Sequence, residues 1–266
     1  MVIDHFPDRS MVAGAPLHVA THLAALGWRS LLITRLGRDD DAETVGHFLD
    51  SLGLDRTFVE YDDELPTGRV TVELTEDGHT FDIHRPASWD RIEGPEELPP
   101  HDAFCFGTLS GRSRIARGAL ERLLAGAGPL RVLDANLRPP DILEAALRLG
   151  LGTARLTKLN DDEFTAVAAR LGFESSPGAY FEHAPELEWL CITKGGNGAE
   201  LYRRDGARWA VEGRAVEVID TVGAGDAFTA GLIDGLGRKW DEGDTLAHAQ
   251  AIAERVVSHQ GGFPQD

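Results

Sequence analysis

Asp226 stands immediately after a Gly223-Ala224-Gly225 turn, and that order of residue types suits the movement of a phosphoryl group. β-forming residues end at Asp220, and the spacing of Ala227, Phe228, Leu232, Ile233 and Leu236 predicts a helix beyond the turn. A glycine turn that opens a helix leaves backbone N–H groups unpaired at the positive end of the helix dipole, which makes an anion site. A carboxylate at such a site has a chemical use: it takes the proton from a hydroxyl that attacks a bound phosphate. An aspartate in a first helical turn is also ordinary in α/β proteins. A dinucleotide fingerprint does not fit, because its third glycine would fall at Phe228.

Other polar groups cluster where strands are predicted to end. Leu133-Asp134-Ala135-Asn136-Leu137-Arg138 closes one strand, and the Arg138 fork suits phosphate oxygens. Asn160 followed by Glu163 reads first as a capping box, and their hard oxygens also suit Mg²⁺. Thr193-Lys194-Gly195-Gly196-Asn197-Gly198 reads as a hairpin turn with glycines at positive φ. His18 and His22 lie four apart on a predicted helix, but no third metal ligand is evident. Of the 26 basic residues only Lys158, Lys194 and Lys239 are lysines, and none sits in a Walker A loop. His84-Arg85-Pro86 is not the His-Arg-Asp loop of protein kinases.

The elements that must hold these groups follow from periodicity. Helices are predicted over 15–27, 41–52, 114–125, 142–149, 161–171, 227–236 and 245–259. Strands are predicted over 29–36, 103–107, 131–134, 154–158, 189–193 and 217–220, with a hairpin at 199–202 and 208–211. Short strands at 57–61, 68–74 and 80–84, with a turn at 76–78, read as a β-meander inserted in the alternation. The alternation implies an α/β fold with a mostly parallel sheet covered on both faces. With 266 residues and 42% hydrophobic content, the chain can bury a full core as one domain over 1–266, with the meander as a lid.

Composition narrows the function. A net charge of −18 argues against nucleic acid, yet helix ends and a metal ion can hold polyphosphate on an acidic protein. No apolar run of about 18 residues offers a membrane span, and the N-terminus does not read as a secretory signal. Cys105 and Cys191 are too few for a disulfide scaffold, so a cytoplasmic location is the simplest expectation.

The 220–226 segment resembles the second signature of the ribokinase-like sugar kinases, the PfkB family, Asp-Thr-x-Gly-Ala-Gly-Asp. The resemblance implies a ribokinase-like three-layer αβα sandwich with a small β lid, acting as an ATP:sugar phosphotransferase with Mg²⁺ and, in many members, K⁺. It assigns Asp226 as general base, with Gly223, Ala224, Gly225 and Arg138 stabilising the transferred group. Asp134-x-Asn136-x-Arg138 and Asn160-x-x-Glu163 match further family motifs, the latter holding Mg²⁺ largely through water. K⁺ would lie near the Asp220 turn. Lys158, Asn160, Thr193, Gly195, Gly198 and Thr221 fall on the nucleotide side.

The N-terminal end resembles the fructokinase-like branch. There Asp4 and the segment containing Gly14, Ala15 and His18 line the sugar pocket, although Ala13 and His18 depart from the branch's Gly and Asn. Thr67 and Gly68, Phe81, Trp89, Thr108 and Asn136 complete the sugar side, with Phe81 or Trp89 against the ring or buried under the lid. Fructose is the implied acceptor; ribose, 2-keto-3-deoxygluconate, a nucleoside or a silent binding role are the alternatives. The lid, approximately 5–13 and 57–85, pairs between subunits in some relatives, which allows a homodimer. A core strand ending Gly-Glu or Gly-Asp normally precedes the segment aligned with Val2-Ile3-Asp4. The chain starts after it, implying a late-assigned start or a truncation with an open sheet seam.

Overall fold

The computed structural model describes residues 1–75, 78–138 and 143–264, with side chains throughout these except at 73–81. The Phe81 ring, the centre of the 76–78 turn and Ile142 lie outside the described residues. β1 (Val2–His5) and β2 (Ser10–Ala13) lead into α1 (Ala15–Ala25), β3 (Thr34–Leu36), α2 (Asp40–Ser51), β4 (Val59–Tyr61), β5 (Gly68–Thr75) and β6 (Gly78–Ile83). An α/β alternation follows: β7 (Ala103–Gly107), α3 (Arg114–Ala125), β8 (Leu130–Asp134), α4 (Glu144–Thr153), β9 (Leu156–Asn160) and α5 (Asp161–Leu171). Then come α6 (Pro177–His183), β10 (Trp189–Thr193), β11 (Ala199–Arg203), β12 (Arg208–Val211), α7 (Ala224–Gly237) and α8 (Glu242–Val257).

The main sheet has the order β12-β11-β10-β9-β8-β7; β7 to β10 run parallel and β11 and β12 return antiparallel. Its central strands β8, β9 and β10 are buried almost continuously because both faces are covered, whereas the edge strand β12 is not. Side-chain alternation sorts them. Leu133, Leu159, Leu190 and Ile192 pack with Leu120, Leu147, Val167 and Tyr180 of α3 to α6. Val132, Leu156 and Cys191 pack with Val19, Phe228, Leu232 and Leu246 of α1, α7 and α8. Lys158 is two residues beyond Leu156, so the period of two turns it toward α7. α7 and α8 cross closely: a Cβ on Gly231 would lie 2.6 Å from the Ala249 Cα, and one on Gly235 2.5 Å from the Thr245 Oγ1.

The lid differs from the predicted meander. β4 does not join β5 and β6 but pairs in parallel with β3, because the chain turns sharply after Tyr61, where Asp62 Oδ1 accepts from the N–H groups of Glu64 and Leu65. The lid sheet is instead β2-β1-β5-β6, with β1 and β5 parallel and the outer pairs antiparallel. β3 and β7 do not pair with each other, and Leu32, Ile33, Thr34, Cys105 and Phe106 all line the cavity described below.

The strand expected at 217–220 is irregular chain. The N–H groups of Ile219 and Asp220 donate to the Val257 carbonyl, and among the described residues no neighbouring strand completes a ladder there. α7 starts three residues earlier than predicted, since Gly223 at φ 75° supplies the turn into it. The 29–36 strand is shorter than its apolar run, reduced to Thr34–Leu36 plus an isolated Leu31–Asp55 bridge. α6 was missed because it is short and sits on Pro177, although Ser176 caps it.

Candidate active site

The parallel strands β7 to β10 deliver their carboxyl ends to one edge, where ligands collect in open α/β sheets. A cavity of about 630 Å³ opens there. Its walls bring together Asp4, Gly14, Ala15, His18, Trp89, Thr108, Asn136, Arg138, Lys158, Thr221, Gly223, Gly225 and Asp226. Residues separated by up to about two hundred positions in the chain thus converge on one space, and each of those named was a candidate in the sequence.

Gly223 is the N-cap of α7 in the left-handed region at φ 75°, and the chain also passes close behind it. A Cβ there would lie 2.5 Å from the Gly262 Cα. The turn is clamped by Asp220, whose Oδ1 accepts from the Val222 N–H and whose Oδ2 accepts from the Gly261 N–H, each at 3.0 Å. Gly225 is where the helix end meets a cation: a Cβ on it would lie 3.0 Å from the Lys158 Nζ. Ala224 sits in the helical backbone and does not line the cavity.

Lys158 is buried, and its Nζ donates to Asp134 Oδ1 at 3.2 Å; Thr229 Oγ1 donates to Asp134 Oδ2 at 2.6 Å. Burial works against the Lys158 charge, but Asp134, Glu163 and Asp226 outweigh it and hold the ammonium above its usual range. The buried carboxylate is thus met on both oxygens, by the ammonium and by a hydroxyl. Sequence reading found Lys158 and the Asp134 motif but not Thr229, which reaches Asp134 only because α7 packs on β8 and β9.

Asp226 is held through one oxygen: Oδ2 lies 2.9 Å from the Nδ1 of His18 on α1. Asp4, on β1, faces the same cavity; burial raises its carboxyl to about 6, with His18 and Arg138 pulling it back. Asn136 adopts φ 40°, a conformation asparagine tolerates better than most residues, and so turns the chain at the end of β8 into the cavity wall. Arg138 Nη1 donates to the Leu137 carbonyl. Thr108 lines the cavity with its hydroxyl given to the Ala135 carbonyl at 2.7 Å.

Trp89 reaches the cavity, but its ring face is covered by the Arg112 guanidinium 3.6 Å from the centroid, and Asp90 holds that guanidinium. Thr67 does not line the cavity. Its hydroxyl donates to Asp39 Oδ1 at 2.6 Å and accepts from the Gly37 N–H at 2.9 Å, tying the base of β5 to α2. Gly68 lies behind Trp89, where a Cβ would meet the indole nitrogen at 2.6 Å.

The capping box at the start of α5 is complete. Asn160 Oδ1 accepts from the Glu163 N–H at 2.7 Å and Glu163 Oε2 accepts from the Asn160 N–H at 2.9 Å. Glu163 Oε1 also accepts from the Leu137 N–H at 2.7 Å, so this carboxylate joins α5 to the loop that carries Asn136 and Arg138. On the next strand, Gly195 at φ 53° and Gly198 at φ 92° turn β10 into β11. A Cβ on Gly198 would lie 2.0 Å from the Val211 carbonyl oxygen, so this turn presses against the chain leaving β12. Thr193, Gly195 and Gly198 are not in the cavity wall; they border its neighbourhood at the end of β10.

The C-terminal contribution was not visible in sequence. Gly262 accepts from His22 Nε2 at 3.0 Å, and Phe263 sets its ring edge-on to His18 at 4.6 Å and near Phe48 at 5.0 Å. His18 and His22, four apart on α1, therefore answer to different partners. Among the described residues no three His, Cys, Asp or Glu side chains form a metal-holding cluster. No helix among them is long and apolar enough to cross a membrane.

Comparison with known proteins adds to this geometry. Residues 9–264 match the model of the pfkB family carbohydrate kinases. A fructokinase of Klebsiella pneumoniae is 32% identical over 255 residues, spanning 88% of this chain and 81% of that protein. An aminoimidazole riboside kinase of Salmonella typhimurium is 29% identical over 269 residues, 94% of this chain and 83% of that one. A fructokinase of Xylella fastidiosa, solved with bound ATP, superposes with a TM-score of 0.83 over 98% of this chain and 91% of its own, at 20% identity. The architecture is thus ribokinase-like.

Proposed function

As the chain belongs to the pfkB family of carbohydrate kinases, we propose that its cavity phosphorylates fructose on the 6-hydroxyl with ATP as donor. The observation that carries this reading is the placement of Asp226 on the first turn of α7, in one cavity with Asp4, Asn136, Arg138 and Lys158. Asp4 accepts hydrogen bonds from sugar hydroxyls and turns the reacting one toward Asp226. Asp226 takes that proton as the hydroxyl oxygen bonds to the γ-phosphorus and the bond to the ADP oxygen breaks. The N–H groups at the start of α7, with the Lys158 ammonium 3.0 Å from a Gly225 Cβ position, oppose the charge on the moving group. The Gly195–Gly198 turn, where nothing lies within 4 Å of a Cβ position on Gly195 or Gly196, is the nucleotide's platform.

The donor set fits Mg²⁺ only through water. Both Glu163 oxygens already accept backbone N–H groups and Asn160 Oδ1 accepts another, so these residues would orient the ion's waters while the phosphates hold the ion itself. Bound Mg²⁺ would neutralise phosphate charge. Asp220 fits its clamp role, with each oxygen on a backbone N–H, and no step is assigned to K⁺.

A second reading, a kinase for a riboside, is favoured by the similarity to the aminoimidazole riboside kinase across 94% of the chain. ADP release with ATP and Mg²⁺, with and without K⁺, over fructose, ribose, 2-keto-3-deoxygluconate and nucleosides separates the two. Turnover on fructose with loss of at least about a thousandfold in Asp226→Asn supports the first. Turnover only on a nucleoside favours the second. Binding of ATP and sugar without release refutes both in favour of a silent binding protein.

A further inference from the structure

We propose that His18 is a positioning residue for Asp226, fixing the carboxylate that receives the proton. The inference rests on Asp226 being the base. The observations are geometric. His18 is buried on α1, and its Nδ1 lies 2.9 Å from Asp226 Oδ2 on α7, 208 residues away in sequence. An ionised carboxylate only accepts, so Nδ1 carries the hydrogen and donates it. Asp226 Oδ1 has no hydrogen bond among the described residues, and it is the oxygen left for the substrate hydroxyl.

The imidazole is itself held. Phe263 lies edge-on to it at 4.6 Å, and a Cβ on Gly262 would come within 3.1 Å of its Cε1. Gly262 is fixed in turn by His22, whose Nε2 donates to its carbonyl at 3.0 Å, and by the close approach to Gly223. The ring therefore has little freedom to turn, and neither does the carboxylate it grips. A side chain so packed and so bonded restricts the base to one rotamer without contacting the transferred group. Displacement of a catalytic group by about 1 Å can cost a hundredfold in rate, so the loss of this grip falls on turnover.

Asparagine offers a clean comparison, since its amide nitrogen stands the same number of bonds from Cβ as the imidazole Nδ1. Leucine fills similar space with no donor. The test measures kcat and both KM values for His18→Leu, His18→Asn, Asp226→Asn and the double variant His18→Leu/Asp226→Asn, with thermal melts of each. We expect His18→Leu to lose about 10- to 100-fold in kcat with the ATP KM within about twofold, and His18→Asn to return to within about threefold of the parent. The double variant should turn over no more slowly than Asp226→Asn, because positioning has no effect once the base is gone. Should His18→Leu fail to fold, His18→Gln replaces it, placing a donor one bond too far, and the same loss of kcat is expected. Equal turnover of His18→Leu and the parent, equal losses in the Leu and Asn variants, or full additivity in the double variant would each overturn the proposal. Near-normal turnover of Asp226→Asn sinks the base assignment and His18's role with it. An inert Asp226→Asn beside a normal His18→Leu sinks only His18's role.

Discussion

Replacing Asp4 with asparagine makes the protein more stable at neutral pH than at mildly acidic pH, relative to the parent. Asp4 is largely buried beside the cavity, and burial lifts its carboxyl from 3.8 to about 6, with His18 and Arg138 opposing the rise. The sign follows from linkage. A carboxyl whose folded value is raised binds its proton more tightly in the folded state, so its effect on stability is most favourable below the unfolded value and is lost as pH rises through the folded one. At 1.36 kcal/mol per unit, the whole span is about 3 kcal/mol, of which about 1.4 kcal/mol falls between pH 5 and 7.5. Water in the cavity reduces the working figure to about 1 kcal/mol. Asparagine does not titrate, so this slope disappears from the variant while the other groups cancel in the difference. Urea unfolding of both proteins at half-unit steps from pH 5 to 7.5 reads it directly. The stability of Asp4→Asn minus that of the parent should grow by about 1 kcal/mol across the window, equivalent to roughly 2–4 °C in melting temperature for a chain of this size. Parallel curves, with a difference constant to about 0.3 kcal/mol, would refute the burial argument.

The remaining predictions concern the frame around the site. Lys158→Met leaves Asp134 buried with only Thr229 to satisfy it, and should cost about 3–5 kcal/mol in chemical unfolding. Gly198→Ala places a methyl group 2.0 Å from the Val211 oxygen at φ 92°; a destabilisation of at least about 1–3 kcal/mol and a raised ATP KM are expected, read by melts and initial rates. Glu163→Gln keeps the shape but turns an NH₂ toward one of the two backbone N–H groups the carboxylate now accepts. That variant should lose about 1–3 kcal/mol and need more Mg²⁺ for half-maximal rate.

Local order in the chain made much of this site legible. The Gly223-Ala224-Gly225-Asp226 turn and the Asn160/Glu163 cap are defined by backbone needs that a few adjacent residues satisfy, so they can be read without the fold. The same holds for the strand ends at Asn136 and Thr193. The parallel sheet followed from the alternation of predicted strands and helices. Non-local pairing was not legible. Nothing near Val59–Tyr61 says that it pairs with Thr34–Leu36 rather than with Gly68–Thr75, since ladder hydrogen bonds carry no sequence identity and a sharp turn at Asp62 redirects the chain. Thr67 matched the lid pattern, yet packing gave its hydroxyl to Asp39.

His18 marks the boundary between the two kinds of information. Its type and its place on α1 were evident in sequence, where it stood as one of a histidine pair and as a pocket residue that departs from the branch's asparagine. That it grips Asp226, with Gly262 and Phe263 behind it, depends on α1, α7 and the C-terminal segment meeting at one corner of the sheet. Local chemistry is written in neighbouring residues; its orientation is decided by contacts between segments some two hundred residues apart, which only close packing of the whole chain brings together.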